Sequence, residues 1–173
     1  MEPLLTQYTN TVQTLLARLA QYDDATLNRT PAAGGWSVLQ VCEHLYRAEQ
    51  NMLTQMAKKI EKADSFAPMT LSTKVKYGIM WTMFQIPTLR FKAPDFVAQL
   101  HDSDTLANTT LAWQTTHAAL AESLAALPAA HSRKALFTHP AIGRIDAAYM
   151  LRFMELHTQR HIVQIDKLLR QAA

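Results

Sequence analysis

The chain has 173 residues, 49% of them hydrophobic, with 17 basic and 14 acidic side chains and a formal charge of +3. That length is ordinarily a single domain, 1–173, able to bury about two-thirds of the surface its unfolded form exposes. So mild and scattered a positive balance excludes the concentrated basic face of a nucleic-acid binder, and the most apolar run, residues 78–87, falls short of the roughly 20 residues needed for stable membrane insertion. Cys42 is the only cysteine. It rules out an intramolecular disulfide framework and fits a reducing, cytoplasmic setting. The first residues alternate apolar side chains with Gln, Tyr, Thr and Asn, so no signal peptide is expected.

Taken in order, Leu5, Tyr8, Val12, Leu15, Leu19 and Tyr22 recur at three- and four-residue spacing and predict a long first helix with one apolar face. A short helical turn is expected within residues 23–31. Residues 31–35, Pro-Ala-Ala-Gly-Gly, then punctuate the chain. Ser37 is suited to cap a second helix running to about Lys62, on which Val41, His44 and Ala48 share a stripe.

Residues 63–103 break the pattern with Pro68, Pro87 and Pro94, and only Leu71 to Phe84 has the composition of a helix. We read this stretch as an insertion between the second and third long helices. In it Lys74, Lys76, Arg90 and Lys92 interleave with Tyr77, Trp81, Phe84 and Phe91. A third long helix is predicted from Ser103 or Asp104 to Pro128, its stripe formed by Leu106, Thr110, Trp113, His117, Leu120, Leu124 and Leu127. Residues 136–143 read as an ordered loop, and Asp146 as the cap of a last helix reaching Gln171. Four long amphipathic segments and one insertion predict an all-α fold, an antiparallel four-helix bundle.

The last helix carries the chemistry. Its core stripe is Met150, Met154, His157, His161, Gln164 and Leu168, so two imidazoles stand where aliphatic side chains are expected. Residues one turn apart on one face can aim at a common point, and His44 is the best-placed third ligand from another helix. Three neutral imidazoles around a divalent ion leave a position open, the layout of a catalytic site. Such an ion activates water or a thiol by lowering its pKa. Thr158 stands where the H-E-x-x-H peptidases need glutamate, which excludes their mechanism.

Gln40 and Gln164 lie within a turn of these histidines and are candidates to orient them, or to pair with each other. His117 is read as a core histidine before a fourth ligand or a general base, and Cys42 as a small buried hydrophobe. His139 serves a loop turn, and His101 and His131 are expected in solvent. Trp36, Trp81 and Trp113 are expected in the core or a pocket wall.

Two stretches carry a resemblance. Residues 35–45, Gly-Trp-Ser-Val-Leu-Gln-Val-Cys-Glu-His-Leu, are similar to the G-W-[ST]-x-x-[QE]-x-x-x-H-[LI] opening of the second helix in the DinB-like superfamily, also called the damage-inducible or YfiT-like metal-dependent hydrolases. The tail Phe137-Thr-His-Pro-Ala-Ile-Gly143, with His157-Thr-Gln-Arg-His161-Ile-Val-Gln-Ile165, resembles the loop and H-x-x-[RH]-H-x-x-Q-I helix of that superfamily. The resemblance implies a four-helix bundle holding zinc or nickel through His44, His157 and His161. Members with assigned chemistry include transferases and isomerases that use bacillithiol or mycothiol. The expected function is thus a metal-dependent hydrolase or thiol-dependent transferase acting on a small molecule. A second reading is a non-catalytic protein, stabilised by the same ion, that binds a small ligand or forms a homodimer through the insertion.

Overall fold

The computed structural model describes residues 1–32, 34–86, 89, 100–101 and 104–172, and it is mostly helical. The expectations placed on Pro87, Arg90, Phe91, Lys92, Pro94 and Ser103 lie outside these residues. The elements are α1 (Glu2–Leu19), α2 (Asp24–Asn28), α3 (Val38–Lys59), a 3₁₀ helix (Ile60–Ser65), α4 (Leu71–Phe84), α5 (Leu106–Ala125), a 3₁₀ turn (Ala129–His131), β1 (Phe137–His139), β2 (Gly143–Ile145) and α6 (Ala147–Ala172). The four long helices meet in a closed ring: α1 lies on α6, α6 on α3, α3 on α5 and α5 on α1. Their apolar stripes fill the space inside with Tyr8, Val12, Leu15, Leu19, Leu45, Met56, Trp113, Leu120, Met150 and Met154.

Helix ends follow local chemistry. Ser37 accepts from the Gln40 N–H while the Gln40 side chain accepts from the Ser37 N–H at 3.0 Å, a reciprocal box that starts α3 in register. Thr70, Thr105 and Asp23 cap α4, α5 and α2 by accepting one backbone N–H each. Asp146 Oδ1 accepts from the Tyr149 N–H at 3.0 Å, as expected for the cap of α6. α1 stops at Leu19, so Tyr22 falls beyond the helix and is exposed. α3 ends at Lys59, and the chain tightens into the 3₁₀ helix instead of continuing to Lys62. Cys42 is wholly buried, which pushes its thiol up to about 12 and leaves it a small apolar side chain.

The expected loop at 136–143 contains a strand, and with residues 143–145 it forms an antiparallel hairpin. Phe137 pairs with Ile145, Thr138 with Arg144 and His139 with Gly143. Three-residue strands are too short to display a period of two. Phe137 and Ile145 face the core while Thr138 and Arg144 face out. Gly143 takes φ 91°, a conformation that side chains disfavour, and thereby closes the turn after Ile142. The side-chain amide of Gln55 on α3 pairs with β1 like a further strand, accepting from the Thr138 N–H at 2.7 Å and donating to its carbonyl at 3.2 Å.

Because Ser37 is fully buried and holds the first turn of the helix that carries His44, Ser37→Ala should cost about 1 kcal/mol of stability, read as a lowered urea midpoint with unchanged slope.

Candidate metal centre

His44 comes from α3, and His157 and His161 from adjacent turns of α6. The packing of α3 on α6 brings their rings together. His157 Nε2 lies 3.2 Å from His44 Nε2 and 3.1 Å from His161 Nε2. Nitrogens bound at about 2.0 to 2.1 Å to one tetrahedral ion stand about 3.3 Å apart, so the donor set fits a divalent cation. The three residues could hold a metal ion, each offering one nitrogen within 4.8 Å of the others.

Proton accounting points the same way. His161 Nδ1 lies 2.8 Å from the Gln164 carbonyl oxygen, which can only accept, so the ring's single proton sits there and Nε2 keeps its lone pair. A proton on His157 Nε2 can serve only one of its two neighbours in a straight bond. A cation at their common point satisfies all three nitrogens. Burial holds His157 well below the ordinary histidine range and pushes His161 down to about 4, with the neighbouring imidazoles adding to both shifts. Both are therefore neutral near pH 7, the form that binds metals.

Aromatic rings wall the triad. Phe153 stacks on His157 at 5.3 Å and 13°, Trp36 lies 4.9 Å from His44, and Phe84 reaches in from α4. Arg160, between the two α6 histidines, donates to the carbonyls of Phe84 at 3.0 Å and Ile86 at 3.2 Å, and to that of Leu89. It thus fastens the end of α4 beside the triad. His139 turns its edge to Phe153 at 4.5 Å and accepts from the Ala141 N–H, so it serves the hairpin turn as expected.

Other assignments change. Gln164 orients His161, whereas Gln40 is committed to the Ser37 cap and to the His101 carbonyl at 2.9 Å. His131, expected in solvent, is largely covered and its Nε2 lies 3.0 Å from Asp64, whereas His101 stays exposed as expected while its Nδ1 lies 2.7 Å from the buried Glu43 carboxylate. Trp113 is core and Trp36 a pocket wall, but Trp81 is 49% exposed.

His117 lies in a second polar cluster. Its Nδ1 is 2.9 Å from Glu49 Oε1, while Glu49 Oε2 accepts from the Tyr8 hydroxyl at 2.8 Å and the Trp113 indole N–H at 2.9 Å. The Thr9 hydroxyl lies 2.8 Å from the Leu5 carbonyl and 2.7 Å from His117 Nε2. Burial, and then the Glu49 charge, push the Tyr8 phenol well above its usual value. Sequence reading missed Glu49, Glu43 and Arg160. The first two border the apolar stripe of α3, and nothing in their spacing separates an inward carboxylate from an exposed one.

A mostly helical protein with three converging imidazoles in an aromatic pocket is the class defined so far. A sequence profile of the DinB superfamily matches residues 7–165, and the chain belongs to that superfamily. Searches of curated proteins and of solved structures returned no match.

Two outcomes follow. Protonation of a buried imidazole is disfavoured in the folded state, so as pH falls the unfolded chain takes up the proton first. Chelator-treated protein should lose stability from about pH 6.5 down to about pH 4, by at most about 1.4 kcal/mol per pH unit per group. His161→Asn should flatten that slope in urea titrations at pH 7, 6 and 5, and an unchanged slope contradicts the assignment. Glu49→Ala leaves His117, Tyr8 and Trp113 without their shared acceptor, and should cost about 3 to 5 kcal/mol in the same measurement.

Proposed function

We propose that the protein is a cytoplasmic, single-domain, metal-dependent enzyme, a hydrolase or thiol-dependent transferase, built as an antiparallel four-helix bundle with an insertion between the second and third long helices. In this reading His44, His157 and His161 hold one divalent ion, zinc or nickel. The observation that carries it is the spacing of their Nε2 atoms, 3.1 and 3.2 Å, with the His161 proton held on the far nitrogen by Gln164. The closed ring of helix contacts supports the bundle. The resemblance of both histidine neighbourhoods to metal-binding relatives supports the ion.

When bound, such an ion supplies Lewis-acid chemistry, lowering the pKa of water or a thiol at its open position. The rest falls to the chain's own side chains. Gln164 fixes the tautomer and tilt of His161. Phe153, Trp36 and Phe84 exclude bulk water from the imidazoles, which strengthens every electrostatic contact made among them. Arg160 holds the α4 end in place, so the mouth of the pocket keeps one shape. The nearest carboxylate in sequence, Glu43, is committed to Arg47 at 2.7 Å and to His101. This favours a nucleophile activated by the ion over one activated by a carboxylate base.

Elemental analysis of protein purified without a metal-affinity tag should find about one divalent ion per chain, and His157→Ala and His161→Ala should lose it. Metal content unchanged in those variants, or none in the parent, sinks the proposal. Turnover of an electrophile in a panel of low-molecular-weight thiols would select the transferase branch. Inertness toward every thiol and ester, with a melting temperature that falls on chelation, would select the non-catalytic reading.

A further inference from the structure

α4 is apolar on both sides but buried on only one. Tyr77 and Met80 pack inward, where α4 meets α6 and β2. On the outer side Leu71, Val75, Ile79, Met83 and Ile86 follow one another at spacings of four, four, four and three, and are 78%, 54%, 57%, 37% and 43% exposed. A helix apolar all round is normally covered all round. Five large aliphatic side chains in one line, with Trp81 on the flank, form a continuous face of the kind that marks an interaction surface.

Charge decides what fits this face. Residues 71–86 contain no Asp or Glu and two basic side chains, Lys74 and Lys76. At about 100° per residue, Lys74 and Lys76 project on opposite sides of the apolar line, about 120° and about 80° from its middle. Both are exposed. Beneath α4, Arg152 of α6 lies over Tyr149, which packs on Tyr77 at 4.8 Å, and Arg144 of β2 lies over Phe66. A second copy of the chain docked through this face would set lysine against lysine with no acid between them. An anionic lipid surface matches both features, since it accepts the apolar line among its acyl chains while the flanking lysines reach its headgroups.

We propose that the outer face of α4 is a peripheral docking surface for membranes bearing anionic headgroups. The helical part of the line, Leu71 to Met83, spans about 18 Å at 1.5 Å per residue, and lies in the plane of the interface. Docking of this kind needs no spanning helix, and no helix among the described residues is long and apolar enough to cross a membrane. Arg160 ties the end of α4 to the helix that carries His157 and His161, so docking holds the triad close to the lipid surface. The inference stands independently of whether the triad binds metal.

The test uses the full chain and sedimented vesicles of phosphatidylcholine alone, or mixed with phosphatidylglycerol. Preferential binding to the mixed vesicles, weakened by added salt, is expected. Val75→Asp and Ile79→Asp change exposed positions only, and should abolish binding while leaving circular dichroism unchanged. Lys74→Gln and Lys76→Gln should each weaken binding about fivefold. Absence of binding to the mixed vesicles overturns the proposal, as does equal binding to both kinds. A dimer in analytical ultracentrifugation that Ile79→Asp dissociates, with no vesicle binding, assigns the face to a second copy instead.

Discussion

Polar groups inside a helical core must find partners, because burying one without a hydrogen bond costs on the order of 1 to 3 kcal/mol. This protein meets that constraint twice along α3, once against α1 and α5 and once against α6. Glu49 is fully buried and is satisfied by Tyr8, Trp113 and His117, drawn from two other helices. The triad of His44, His157 and His161 satisfies itself less completely. Its nitrogens face one another, and His157 Nδ1 is buried with no partner among the described residues. The Glu49 cluster closes its own bonds and ties three helices together, whereas the triad gathers three imidazoles that could hold a metal ion.

α3 serves both clusters because His44 and Glu49 are five residues apart, which on a helix separates them by about 140°. One side of α3 therefore offers an imidazole to α6 and another offers a carboxylate toward α5 and α1. The Ser37 box that starts the helix also fixes where each of these side chains points. Further along, Gln55 completes the edge of the short hairpin, and the hairpin in turn sets His139 against Phe153. Much of the pocket wall is thus indexed to the register of one helix.

Arg160 links the candidate centre to the periphery. Side chains that donate to the last carbonyls of a helix are a common way to finish it, and here the donor lies between two triad residues. A displacement of α4 would be felt at the triad through that guanidinium and through Phe84, which lies 6.3 Å from His157. The apolar outer face of α4 and the aromatic pocket therefore belong to one mechanical unit.

The sequence by itself determined the four long helices, the Ser37 and Asp146 caps and the inward stripe of α6, because a 3.6-residue period and capping chemistry are local properties, while α5 takes its cap at Thr105 and not at Ser103 or Asp104. It singled out His157, His161 and His44 on the same grounds, and the resemblance pointed to the same three. Only the tertiary structure decided that the three Nε2 atoms converge, that Gln164 and not Gln40 orients a ring, and that His117 belongs to Glu49. It also turned a loop into a hairpin and engaged His101 and His131, each through a partner at least 58 positions away in the chain. Spacing along a helix tells which side a residue faces, but not what stands there. Carboxylates, amides and imidazoles take their roles from that neighbour, and packing alone supplies it.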